Sequence, residues 1–246
     1  MIRVKILLIF GHGAGDPGAC ALGYKEADLV REMAPSLKNI LSQYAEVTVF
    51  DTSKNMYKYL KAGNAFNFGV YDYVFELHFN ASVDDTKGNG KTTGTEILVH
   101  TSEKGTSVEQ AIVNNIAALG FKNRGVKKRS DLLNMNTCKK KYGVSYALLE
   151  TCFIDDLDDM KLYNAKKDLV IKAIASGIVD GFSLKAKNSK VDTVCIDSPS
   201  AIANEINNKF LKIHEMDNLV KALEKAKKEN SPLYWVCYRL VNNVKE

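Results

Sequence analysis

The stretch Tyr73-Val-Phe-Glu-Leu-His-Phe-Asn-Ala-Ser82 sets the strongest limit on what this chain can fold into. Its aromatic and β-branched residues are dense enough to predict a pleated, buried strand. The apolar run gives out at His78, followed by an asparagine and small residues, so the histidine falls where strand turns into loop. In open α/β sheets ligands bind at that carboxyl edge. A histidine there is, taken alone, more often a satisfied core residue than a ligand. It gains weight only if other strands deliver compatible groups to the same edge.

The rest of the chain supplies such strands. Val4 to Phe10 is nearly all apolar, as expected of a strand covered on both faces. The loop Gly11-His-Gly-Ala-Gly-Asp-Pro-Gly-Ala19 follows. Tyr24 to Gln43 reads as a helix with Ala27, Val30, Ala34, Leu37 and Leu41 on one stripe, and Pro35 predicts a kink or break in it. Glu46 to Phe50 reads as a strand and Asn55 to Asn67 as a helix. A polar, Gly-rich loop from Asp84 to Thr93 leads to a strand over Gly94 to His100, then a helix over Ser107 to Leu119. Arg124 to Lys141 is basic and aperiodic, and is expected to loop over a face. Val144 to Thr151 is again a buried strand, ending on Glu150. Asp155-Asp-Leu-Asp-Asp159 offers helix caps, and a long helix to Phe182 turns Leu162, Leu169, Ile174 and Ile178 inward. Strands alternating with helices predict an α/β fold: a twisted, mostly parallel sheet with helices on both faces.

That domain spans residues 1–183. Residues 184–192 read as a linker, and 193–246 as a small helical C-terminal appendage. Three amphipathic helices are signalled there: one with Ile202, Ile206 and Phe210, one from Asp217 with Leu219, Val220 and Leu223, and one opened by Ser231-Pro232 and carrying Trp235, Tyr238 and Leu240. A segment of that size is near the lower limit for folding alone, and its Trp-Val-Cys-Tyr cluster is too apolar to be left in water. Attachment to a larger partner or self-association into a homo-oligomer is the expected use.

Composition narrows the function classes. The net charge of +5 favours anionic partners mildly, anionic cell-wall polymers among them. The positive charges are scattered and no aromatic-interleaved basic stripe occurs, which argues against nucleic acid. The five cysteines, Cys20, Cys138, Cys152, Cys195 and Cys237, form no C-x-x-C pair and point to free thiols rather than a disulfide or structural zinc framework. No apolar run is long enough to insert in a membrane. The N-terminal apolar stretch is short and lacks a cleavage site, so it is read as the first strand and not as a signal peptide.

Four groups converge on the edge that His78 marks. His12 follows the first strand, Glu26 lies in the first turn of the first helix, and Glu150 ends the last strand. Two imidazoles and a carboxylate form a three-ligand set for catalytic zinc with one position left for water, and a further carboxylate can then move the water's proton. The competing readings are specific. The glycine loop lacks the spacing of a dinucleotide or P-loop cradle. Glu26 also suits a helix N-terminus, and Glu150 is free to pair with Arg124 or Arg129. Cys20 and Cys152 are taken as small buried residues, and His100, on an edge-like strand, and His214 as surface residues.

In order along the chain, G-H-G-A-G-D-P-G-A, Glu26, L-H-F-N-A, G-T-E-I-L-V, N-R-G-V-K-K-R-S-D-L and A-L-L-E-T-C-F-I-D-D resemble the type 3 zinc-dependent N-acetylmuramoyl-L-alanine amidases, over about residues 3–182. The catalytic domains of phage and prophage endolysins are especially similar. The resemblance implies Zn2+ on His12, Glu26 and His78, with Glu150 as the catalytic glutamate. It implies a peptidoglycan (muropeptide) substrate cut between N-acetylmuramic acid and L-alanine by a lysin made in the cytoplasm and acting on the wall. Two positions depart from the family pattern: Ile9-Phe10 replaces the usual Asp-Pro, and Glu76 stands where serine is common. A zinc peptidase cutting within the stem peptide, or a wall-binding protein that does not turn over, remains open on the residues alone.

Overall fold

The computed structural model describes residues 3–186, 202–203 and 216–229. The chain divides into two compact units, residues 1–187 and 188–246. The first is built on a six-stranded sheet: β1 (Lys5–Phe10), β4 (Glu46–Val49), β5 (Tyr73–Asn80), β6 (Thr95–His100), β7 (Asn123–Arg129) and β8 (Ser145–Phe153). A two-stranded ribbon, β2 (Cys20–Ala21) with β3 (Tyr24–Lys25), closes the first loop. The sheet order is β4-β1-β5-β8-β6-β7. All neighbours run parallel except β6 and β8. The carboxyl ends of β1, β5 and β8 therefore share an edge with the start of β6.

Side-chain alternation assigns the two faces. Ile6, Leu8, Tyr73, Phe75, Leu77, Ala147 and Leu149 point to the core under α1 (Glu26–Leu41), α3 (Ser107–Ala117) and α5 (Leu157–Gly181). Leu7, Ile9, Val74, Tyr146 and Leu148 point to a smaller core under α2 (Met56–Lys61), a 3-10 turn (Phe68–Val70) and α4 (Leu133–Tyr142). Helices thus cover both faces, and the central strands β1, β5 and β8 are largely apolar for that reason. By the same alternation Glu76, His78 and Glu150 share the second face with Val74 and Leu148.

Several local expectations give way. α1 runs unbroken through Pro35, which sits on the exposed side, where water can serve the Arg31 carbonyl left without its amide partner. The second helix is short, Met56–Lys61, and Asn67 instead caps the separate 3-10 turn. Arg124 to Lys141 is no surface loop: it holds strand β7 and helix α4, the latter closed by Gly143 in the left-handed conformation. Because β7 follows, β6 is an inner strand, and His100 is buried rather than exposed. Leu169 faces solvent, while Ile174 and Ile178 are buried as expected. Cys20 is exposed and Cys152 buried.

The acidic start of α5 pins the loop that overhangs the sheet edge. Asp156 caps the helix through the amides of Asp158 and Asp159 and also accepts from Thr93. Asp155 Oδ2 accepts from the amides of Ser82, Val83 and Asp84. In the second unit, α6 (Met216–Lys228) answers the predicted helix from Asp217, with Leu223 and Ala226 buried. The other two helices expected in the appendage, and most of the linker, lie outside the described residues. No helix among the described residues is long and apolar enough to cross a membrane.

Candidate metal centre

The site grows from three chain ends at the shared edge. After β1 the backbone turns sharply, with His12 itself in the left-handed region at φ 61°. That conformation is uncommon for a residue with a side chain. Arg31, one turn into α1, holds the turn by donating to the carbonyls of Gly11 and His12, both at 3.1 Å. Glu26 opens α1, where the helix dipole favours a carboxylate. His78 occupies the penultimate turn of the β5 pleat, and β8 sets Glu150 beside it in register.

Glu26 is the hub. Its Oε2 lies 2.9 Å from His12 Nε2 and its Oε1 2.8 Å from His78 Nδ1. The amides of Ala19 and Phe79 also donate to it, each at 3.0 Å. The two imidazole rings meet edge to face, 4.9 Å between centres. Behind each ring stands a second carboxylate: Asp16 Oδ2 at 3.1 Å from His12 Nδ1, and Glu76 Oε1 at 3.3 Å from His78 Nε2. Asp16 also accepts from Asn55 Nδ2, which ties the loop to the start of α2.

The electrostatics follow from this crowding. Burial opposes the charge on Glu26, but hydrogen bonds from both histidines outweigh it and hold the carboxyl far below the usual range. Burial likewise lowers His12 and His78, yet contact with Glu26 raises both on balance, His78 strongly with help from Glu76. Glu150 is pushed up to about 7, first by burial and then by neighbouring carboxylates, against the pull of His78. Its Oε2 is buried without a partner. Neither arginine considered in the sequence reading reaches it: Arg124 pairs with Glu96 and Arg129 with Asp131.

The residues present fit a transition metal. Two imidazoles and a carboxylate place ligand atoms within 4.8 Å of one another, a nitrogen and oxygen set that suits zinc. The loop packs tightly against these ligands. Gly18, at φ 68°, would set a Cβ 2.6 Å from Glu26 Oε2 and 2.7 Å from the His12 ring, so only glycine permits the approach. A cleft of about 220 Å³ opens beside the site, with Phe10, Met56, Leu132 and Leu148 on its apolar wall and Asn55 and Asn134 as polar points.

All four predicted residues are at the site: His12, Glu26 and His78 in direct contact, and Glu150 one strand over from His78. Asp16, Asn134 and Tyr146 were missed, and Glu76 was noticed only as a departure from pattern. A charged residue two positions before a histidine on a buried strand does share its face, and that signal was readable. The pairing of Glu76 with Asn134 and Tyr146, 58 and 70 residues away, was not.

The chain is similar in sequence and fold to known proteins. The chain is 31% identical over 190 residues to a probable autolysin of Staphylococcus aureus, covering 71% of this chain and 38% of that protein. It is 32% identical over 203 residues to the endolysin of Bacillus phage SPP1, covering 78% of this chain and 70% of the endolysin. The catalytic domain of the CD27L endolysin superposes with a TM-score of 0.56 at 25% identity, over 72% of this chain and 98% of that domain. The family described as N-acetylmuramoyl-L-alanine amidase matches residues 6–180, which contain every residue of the site, and the chain belongs to that family.

Proposed function

We propose that the chain hydrolyses the amide between N-acetylmuramic acid and the L-alanine of the stem peptide, as an endolysin-like enzyme dependent on zinc. The observation that carries this reading is the convergence of His12, Glu26 and His78 on one point, with the unpartnered carboxyl of Glu150 beside them. Zinc held by those three residues would polarise the scissile carbonyl and make its water a nucleophile near neutral pH. Glu150 then takes the proton of the attacking water and hands it to the departing L-alanine nitrogen. In the metal-free protein burial and then neighbouring carboxylates raise the affinity of its carboxyl for a proton. Arg31 and Gly18 keep the His12 loop in place, and the apolar wall of the cleft suits the methyl groups of the lactyl and alanyl units.

Residues 193–246 are proposed to attach the enzyme to the wall, anionic polymers included, or to another copy of itself; the one-sided burial of α6 supports such a helical unit. Mass spectrometry of digested peptidoglycan tests the main reading. New N-terminal L-alanine is the expected product. A new amine inside the stem peptide would make the chain a peptidase, and an unchanged digest a binding protein.

A further inference from the structure

We propose that Glu76 is a positioning residue of the metal centre: its carboxylate takes the Nε2–H of His78 and fixes that ring with Nδ1 bare toward Glu26 and His12. This inference rests on the metal-amidase reading above. A neutral imidazole carries one proton, and a nitrogen that binds metal must be the one without it. The other nitrogen then needs an acceptor, and carboxylates in that position fix the tautomer and raise ligand basicity. Here His78 Nδ1 donates to Glu26 Oε1 at 2.8 Å, and Nε2 lies 3.3 Å from Glu76 Oε1, so Glu76 is placed to keep Nε2–H when Nδ1 gives up its proton to a metal.

The surroundings of Glu76 are built for this one geometry. The residue is 5% exposed, on the sheet face it shares with Val74 and Leu148. Asn134 Nδ2, from α4, donates to Oε1 at 3.0 Å. The Tyr146 hydroxyl, from β8, donates to Oε2. The carboxylate is thus tied to two different elements and cannot swing away from His78. A charge buried among apolar side chains is costly unless fully hydrogen-bonded; an apolar residue would fill the same space without that cost. Asp16 stands behind His12 in the same way, and it shares Oδ2 with Asn55 as Glu76 shares Oε1 with Asn134, but Asp16 is part-exposed. Of these two carboxylates, Glu76 is the enclosed one.

Zinc affinity, measured on the full chain by competition with a chromophoric chelator, tests the assignment. Glu76→Gln keeps shape and volume, so it is expected to melt near the parent temperature yet bind zinc at least tenfold more weakly. Glu76→Ala should fall further, toward a hundredfold, and if it fails to fold the glutamine variant decides. The visible bands of the cobalt-substituted protein should shift in Glu76→Gln, because the His78 ring is no longer held. Affinity within twofold of the parent and unchanged cobalt bands would overturn the proposal, even if the melting temperature dropped. If the parent chain itself takes up no metal, the amidase reading falls together with this one, which separates the two failures.

Discussion

Glu26 and Glu150 are both carboxylates within reach of His78, and the chemistry asks different things of them. Glu26 touches both imidazoles, so replacing it should weaken metal binding. Glu150→Ala should leave zinc bound and the fold intact while kcat falls by about 10²- to 10⁴-fold, the usual worth of a general base. A Glu150→Ala protein that loses its metal on dialysis would make Glu150 a ligand, and one with near-normal turnover would move the proton transfer elsewhere. The metal-free protein should also show a distinctive pH response. His12 and His78 are raised in the folded state, so their contribution is present below the unfolded value of about 6.5 and is lost as pH rises through the folded values. Glu150, held near 7, is lost in the same direction. Glu26, lowered, contributes above about 4.3 and loses that contribution only in stronger acid. Metal-free protein should therefore melt highest near about pH 4.5 to 5 and lose stability above that, first through Glu150 and then through the histidines. Zinc should reverse the trend at higher pH because ligation needs unprotonated imidazoles. A melting temperature that climbs from pH 6 to 8.5 without metal would contradict this. His12, Glu26, His78 and Glu150 were legible because each sits at a strand end or a helix start that its own neighbours announce. Their outer partners were not, since a contact between Glu76 and Tyr146 exists only once two distant strands are paired.

Most elements were announced by an apolar period, and β7, which was missed, has none. In β7, Val126 is only half-buried and Lys127, Lys128 and Arg129 are exposed, so no face reads as apolar. Its strand character comes from pairing with β6, and its lysines suit a sheet edge that must not recruit another chain. α4 begins without a side-chain cap, but Lys139-Lys-Lys141 followed by Gly143 is a helix ending that could have been recognised. Packing between α3 and α5 yields a prediction at this scale. A Cβ on Gly177 would stand 2.6 Å from Ile112 Cγ1 and 2.7 and 2.8 Å from its Cα and N. Alanine gains about 0.5–1 kcal/mol in a helix interior. Overpacking costs about 1–3 kcal/mol and wins here, because backbone atoms of α3 cannot step aside. Gly177→Ala should lower unfolding free energy by roughly 1–2 kcal/mol in a urea titration; an increase would show that the helices separate freely.

At the scale of the molecule, alternation of strands and helices told the class, and the six-stranded sheet with helices on both faces follows it. Strand order was beyond it, because nothing local tells β8 which neighbours it will have. The chain divides into two compact units after residue 187. Residues 1–187 alone should cleave released muropeptides at a rate close to that of the full chain, while pull-down with intact walls weakens or the number of copies per particle in solution falls. Equal wall binding and an equal number of copies would leave residues 188–246 without the attachment role proposed for them. The position of β8 has one more consequence. It lies between β5 and β6, which precede it in the chain and have no direct pairing with each other. During synthesis both strands wait with an unfilled edge until residues 145–153 emerge, and the same segment carries Glu150. The sheet is completed and the carboxyl of Glu150 delivered in one late step, so a nascent or truncated chain lacking β8 has neither a finished sheet nor that carboxylate.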